Sequence, residues 1–220
     1  MIHIGVRRCL VSSLALLGAL SLLCGCSSNS SSSCDMACCA APTTAATAGH
    51  DHSAAAAVHD HSAHTAQNAA PEWKILFDGK SLDGWTIADY GGHGEVKLAN
   101  GMAILPMGDG LTGITYNGSG LPTMNYEVVV EAQRMDGSDF FCGLTFPVNK
   151  THASLICGGW GGSLVGISSL DGEDAAHNTT GMVKDFKDKQ WYSIRVRVLP
   201  KKLQGFIDGE KVVDIETTDR

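Results

Sequence analysis

The chain has 220 residues, 26 of them glycine and 6 proline, and a formal net charge of −7 with no cluster of lysine or arginine. That balance excludes a nucleic-acid-binding protein, which would show a basic patch or stripe. With the N-terminal segments set aside, the length leaves room for one domain of about 150 residues. High glycine and a near absence of helical periodicity predict an all-β fold.

In chain order, the first element is a targeting segment over residues 1–25. Arg7 and Arg8 form a short positive region, and the apolar run from Cys9 to Leu23 is too short and too early for a spanning helix. Leu23-Cys24-Gly25-Cys26 resembles the bacterial lipobox, whose cysteine is acylated and becomes the first residue of the mature protein. The resemblance implies lipidation at Cys26; Cys24 is the poorer candidate because the bulky Leu23 would occupy the cleavage position. Acyl chains contribute about 0.8 kcal/mol per buried methylene, so several of them anchor a protein without a spanning helix. Ser27 after the cysteine resembles the pattern that permits export to the outer membrane. The expected location is the bacterial cell envelope, with plain secretion as the alternative.

Residues 26–71 are rich in Ser, Ala, Thr, Gly and His and nearly devoid of large apolar residues. Such a segment buries too little to offset its ordering entropy, which predicts a flexible tether. His-Asp-His-Ser-Ala occurs twice within it, so that His50, His52, His59, His61 and His64 lie close together in sequence. Imidazoles so spaced could wrap a transition metal, with Asp51 and Asp60 as further ligands. The alternative is a low-complexity linker with no closed ligand set. Cys34, Cys38 and Cys39 add thiols to the same segment.

The folded domain is expected over residues 72–220. Ile75-Leu76-Phe77 reads as a short strand, and Asp83-Gly84-Trp85 as a turn that drops an indole onto the core. VKLANGMAILPM predicts two strands around Asn100-Gly101, the strongest hairpin signal in the chain. Tyr116 to Pro122 reads as loop. Asn125 to Met135 alternates strictly: Tyr126, Val128, Val130 and Ala132 share one face, and Glu127, Val129, Glu131 and Gln133 the other. An apolar face must pack on another sheet, leaving the polar face to solvent or a groove. FFCGLTFPV and ASLICGG flank Asn149, Lys150 and Thr151 as a second hairpin, followed by a glycine-rich shelf around Trp160 and a polar segment from Asp171 to Asn178. WYSIRVRVLP sets Ile194, Val196 and Val198 opposite Arg195 and Arg197, and GFIDGEKVVDIE turns on Asp208-Gly209. Antiparallel strands at this spacing predict a β-sandwich or jelly roll.

Cys142 and Cys157 lie symmetrically about the hairpin turn and should face each other. An exported protein could close a disulfide there, contributing up to ~3 kcal/mol for a loop of about 15 residues; two buried thiols are the other reading.

LFDGKSLDGW, NYEVVVEAQR, DFFCGLTFPV with GGWGGSLVGISSLDGEDAAHNTT, and WYSIRVRV with GFIDGEKV together resemble the 3-keto-disaccharide hydrolase family. The resemblance covers nearly all of Glu72 to Arg220 and implies a fold like that of concanavalin-type lectins and laminarinase-like glucanases. Members usually continue through one or two further strands after Val212-Val213, so the resemblance implies a domain lacking its last strands, with an exposed sheet edge. No Glu-x-Asp-x-x-Glu strand is present, which disfavours the paired-carboxylate chemistry of retaining glucanases.

The resemblance implies action on glycosides with a 3-keto group, whose ketone acidifies the C2 proton. Removing it expels the C1 substituent, a step that needs a base, an acid and a group to polarise the ketone. Candidates are Glu131, Asp139, Asp171, Glu173, Asp174 and His177, with Trp160 as sugar platform and Asn178 binding a hydroxyl. Asp171 and Asp174 could instead hold Ca²⁺ with backbone carbonyls, and Asp171-Gly172 is also a turn dipeptide in its own right. Glu131 could pair with Arg195 or Arg197 across strands. A non-catalytic, lectin-like carbohydrate-binding module is the alternative function.

Overall fold

The computed structural model describes residues 3–13 and 72–218. Cys26, the tether and its five clustered histidines lie outside the described residues, as does most of the targeting segment. In chain order the strands are β1 (His3–Ser13), β2 (Trp73–Phe77), β3 (Trp85–Ile87), β4 (Lys97–Ala99), β5 (Met102–Pro106), β6 (Ile114–Tyr116) and the long β7 (Tyr126–Asp136). Then follow β8 (Cys142–Val148), β9 (Thr151–Gly158), β10 (Leu164–Ser168), β11 (Met182–Val183), β12 (Tyr192–Leu199), β13 (Lys202–Ile207) and β14 (Glu210–Glu216).

These strands make an antiparallel β-sandwich, as the alternation predicts. An eight-stranded sheet runs β14-β13-β12-β7-β1-β5-β4, with β2 also paired to β1; a four-stranded sheet runs β11-β10-β9-β8; β3 and β6 form a small third sheet. Tyr126, Val128, Val130, Ala132, Ile194, Val196 and Val198 form the inner face of the large sheet, and Phe146, Leu155, Cys157, Val165 and Ile167 the inner face of the small one. Removing this apolar surface from water, at about 25 cal/mol per Å², is the main force holding the layers together. Gly205 lets the sheets approach closely: a Cβ there would lie 3.4 Å from Leu155 Cδ2. Tyr126 Oη donates to the Pro147 carbonyl at 2.6 Å and ties β7 to β8.

The hairpins form where the sequence marks them. Asn100 and Gly101 (φ 53 and 74) and Asp208 and Gly209 (φ 51 and 84) adopt the left-handed pair that matches the twist of two antiparallel strands. Trp85 Nε1 donates to the Leu76 carbonyl at 2.7 Å, so the indole is anchored at the core's edge as expected. One placement differs from the sequence reading. Tyr116 begins no loop: it ends β6, opposite Trp85, with the rings edge-on at 5.2 Å. β1 lies in the middle of the large sheet, between β7 and β5.

Candidate functional site

Trp160 stands on a single turn, Gly159–Gly162, between β9 and β10. The interior of the turn is left-handed, with φ 47 at Trp160 and 91 at Gly161. A non-glycine residue held there costs about 1–3 kcal/mol and persists only where the surrounding structure imposes it. The end of the turn packs against Arg134 and Ser138. At Gly162 (φ 107) a Cβ would lie 2.7 Å from the Ser138 carbonyl oxygen and 3.2 Å from Arg134 Nη1, so only glycine fits. Above this support Trp160 is 52% exposed, a large aromatic residue open to solvent.

Arg134 is the bracket beneath the shelf. It follows Ala132 in the inward phase of β7 and is buried. Its Nε donates to Asp188 Oδ1 at 2.6 Å, its Nη2 to the Phe186 carbonyl at 2.9 Å and its Nη1 to the Asp139 carbonyl at 3.4 Å. Phe141, Phe186 and Tyr192 pack beside it with ring centroids 4.9 to 5.6 Å apart. The sequence reading passed over this residue. Its signal was an arginine in phase with Val128, Val130 and Ala132, where a charge survives only if its donors are matched. Asp139 lies beside the shelf, with Oδ1 accepting from the Phe140 amide at 2.7 Å.

The polar segment folds back over the outer face of β10. Leu170 and Glu173 form a bridge around the Asp171-Gly172 turn, where Asp171 has φ 54. Asp171 therefore fills a turn position, and Glu173 is exposed next to it. Asp174 Oδ1 accepts from His177 Nδ1 at 2.7 Å and from the amides of Ala176 and His177 at 2.9 and 3.1 Å. Partial desolvation pushes this carboxyl up, but the hydrogen bonds from the His177 ring and the Ala176 amide outweigh it and hold the group below its ordinary 3.8. Asn178 is committed within the loop: Nδ2 donates to the carbonyls of Ile167 and Asp174, both at 2.7 Å, and Oδ1 accepts from Thr180 N and Oγ1. The Lys184 amide donates to the Ser163 carbonyl at 2.8 Å, which brings the end of this loop alongside the Trp160 shelf.

Glu131 is elsewhere. It stands opposite Ser193 on the face of β7 turned away from the core. Val165 and Ile167 of β10 point inward and Gly166 outward against Ala175 and Thr180, so the loop covers the opposite outer face of the sandwich. Two sheets about 10 Å apart separate Glu131 from Asp174 and His177. On the same face Glu127 takes Arg195 Nη1 at 3.4 Å and also Arg197 Nε. Arg195 in turn lies 4.2 Å over the Phe206 ring. Beneath two guanidinium groups Glu127 is only 5% exposed, so the face expected to be open to solvent is partly closed.

Cys142 and Cys157 are opposite each other in register and both buried, as the symmetry predicts. They remain thiols in this structure rather than a disulfide. Burial, with Cys142 adding to it, pushes the Cys157 thiol well above its ordinary range. Among the described residues no three His, Cys, Asp or Glu side chains gather as a metal-holding group, and Asp174 Oδ1 is already surrounded by hydrogen-bond donors.

No curated protein and no solved structure matches the chain. A family model described as the 3-keto-alpha-glucoside-1,2-lyase-like domain matches residues 72–220. The match takes in the shelf, the Arg134 bracket and the Asp174–His177 loop, and it supports a glycoside hydrolase- or lyase-like function acting on carbohydrate. Covering well over half of the chain, it shows that this protein belongs to the family of 3-keto-alpha-glucoside-1,2-lyase-like domains.

Proposed function

We propose that the domain cleaves the glycosidic bond of 3-keto-glucosides by elimination, with the sugar lying on Trp160 and His177 acting as the base. The observation that carries this reading is the Asp174–His177 pair, 2.7 Å from Oδ1 to Nδ1. A carboxylate on Nδ1 fixes the tautomer and leaves the Nε2 lone pair outward, the arrangement a proton-abstracting imidazole needs. His177 Nε2 takes the C2 proton, the C2–H electrons form the C1–C2 double bond, and the C1–O bond breaks with its electrons on the departing oxygen. Asp139, beside the shelf, or water supplies the proton to that oxygen; water added across the double bond would complete a net hydrolysis. The family match supports the substrate class. We place this activity at the cell envelope, held there by lipid on Cys26.

Turnover of 3-keto-trehalose and 3-keto-glucosides, run beside the unoxidised sugars, tests the proposal. Release of free sugar from the keto substrates alone, reduced about 10²–10⁴-fold in His177→Ala, is the expected result. An exposed tryptophan on a rigid turn would equally serve a binding module. Saturable sugar binding with no turnover would replace the lyase reading by that one.

A further inference from the structure

We infer that Asn178 and Thr180 are positioning residues for His177: together they take the place of a strand along β10 and fix the loop that carries the Asp174–His177 pair. The inference rests on the reading of His177 as the base. β11 pairs with β10 at two positions, Leu164 with Val183 and Val165 with Met182. Continued in register, that ladder would set Gly181 opposite Gly166 and Thr180 opposite Ile167. The chain turns away instead at Gly181, whose amide donates to the Asn178 carbonyl at 3.4 Å. Ile167 therefore needs other partners on that side of β10, because a buried amide or carbonyl left unpaired is costly. Two side chains supply them. Thr180 Oγ1 accepts from the Ile167 amide at 2.8 Å, and Asn178 Nδ2 donates to the Ile167 carbonyl at 2.7 Å.

The same two side chains reach the functional pair. The Thr180 hydroxyl and amide both donate to Asn178 Oδ1, at 2.6 and 2.9 Å. Asn178 Nδ2 gives its second hydrogen to the Asp174 carbonyl at 2.7 Å, with the Glu173 carbonyl at 3.4 Å. Both amide hydrogens and both oxygen lone pairs of Asn178 are thereby used, which leaves nothing for a sugar hydroxyl, the role its residue type suggested. Asp174 is held to β10 through its backbone, and its carboxylate sets the His177 ring through Nδ1. Thr180 thus acts on His177 through Asn178 and Asp174. Packing leaves little slack in this chain of contacts. Thr180 is buried, and a Cβ at Gly166 would lie 3.1 Å from Ala175 Cβ and 3.2 Å from Thr180 Oγ1.

The test compares Thr180→Val, which keeps the side chain's shape and loses its hydrogen bonds, with Thr180→Ser, which keeps the hydroxyl. The full chain is labelled with isotopic nitrogen in its histidines, and the His177 ring signals are assigned by their absence in His177→Ala. At about pH 8, above the ordinary imidazole value of about 6.5, the native chain and Thr180→Ser should show Nδ1 protonated and Nε2 bare. Thr180→Val should show a mixture of the two tautomers. Asn178→Ala should give the same mixture and decides the matter where Thr180→Val does not fold. With 3-keto-trehalose, Thr180→Val should lower kcat about 10–10²-fold with KM little changed, and Thr180→Ser should keep kcat near the native value. An unchanged tautomer in the folded Thr180→Val or Asn178→Ala chain would overturn the inference. So would loss of the tautomer in Thr180→Ser, which would make the methyl's packing responsible, or an unchanged kcat in Thr180→Val. The tautomer is read without substrate, so a native chain that fails to turn over removes the lyase reading while the nitrogen signals still decide whether Asn178 and Thr180 set the ring.

Discussion

At the scale of single residues, the Asp174–His177 pair combines a loop cap with an oriented imidazole. Because its hydrogen bonds hold the Asp174 carboxyl below 3.8, its contribution to the folded loop is complete above that value and is lost as pH falls through the lowered one. Following the Asp174 carboxyl by NMR should show it titrating below 3.8, and His177→Ala should move the titration up toward that value. Asp174→Asn keeps an oxygen for the backbone amides but gives up the charge, so it should retain the fold and lower turnover by at least about tenfold. The sequence named these two side chains together with Glu131. That Glu131 lies in the other layer was not legible, because membership of a strand face says nothing about which layer of the sandwich that strand joins.

At the scale of elements, the shelf depends on groups distant in sequence. Arg134→Ala would remove three hydrogen bonds and leave the Asp188 carboxylate and two carbonyls short of a donor, a cost of ~3 kcal/mol read by denaturant unfolding. Gly162→Ala meets both a positive φ and the Ser138 carbonyl, and should cost on the order of 1–3 kcal/mol while weakening sugar binding, measured by calorimetry. The β8–β9 hairpin was readable from its alternating runs and its Asn149 turn. The bracket under the shelf was not, because Arg134, Asp139, Phe186 and Asp188 come together only when β7 and the segment before β12 pack at one end of the sandwich.

At the scale of the whole molecule, stability resides in the two facing layers. Ile194→Ala, at a fully buried position of β12, should cost about 2–5 kcal/mol in chemical denaturation. Burial raises the Cys157 thiol above its ordinary 9.0 and the Tyr126 phenol above its ordinary 10.0. The folded state therefore keeps these protons after the unfolded chain has lost them. Their stabilising effect is complete below the ordinary values and declines as pH rises beyond them. Tm should thus fall above about pH 9, and Cys157→Ala should blunt the first part of that fall. The sequence by itself determined the all-β class, the turns at Asn100-Gly101 and Asp208-Gly209, and the inward faces of β7 and β12, since period-two alternation and left-handed turn residues are local properties of the chain. Tertiary structure alone decided that Glu127 meets both Arg195 and Arg197, that Arg134 supports Trp160, and that β1 lies between β5 and β7. Each of these depends on register between strands far apart in sequence, and a shift of one residue exchanges the two faces of a strand.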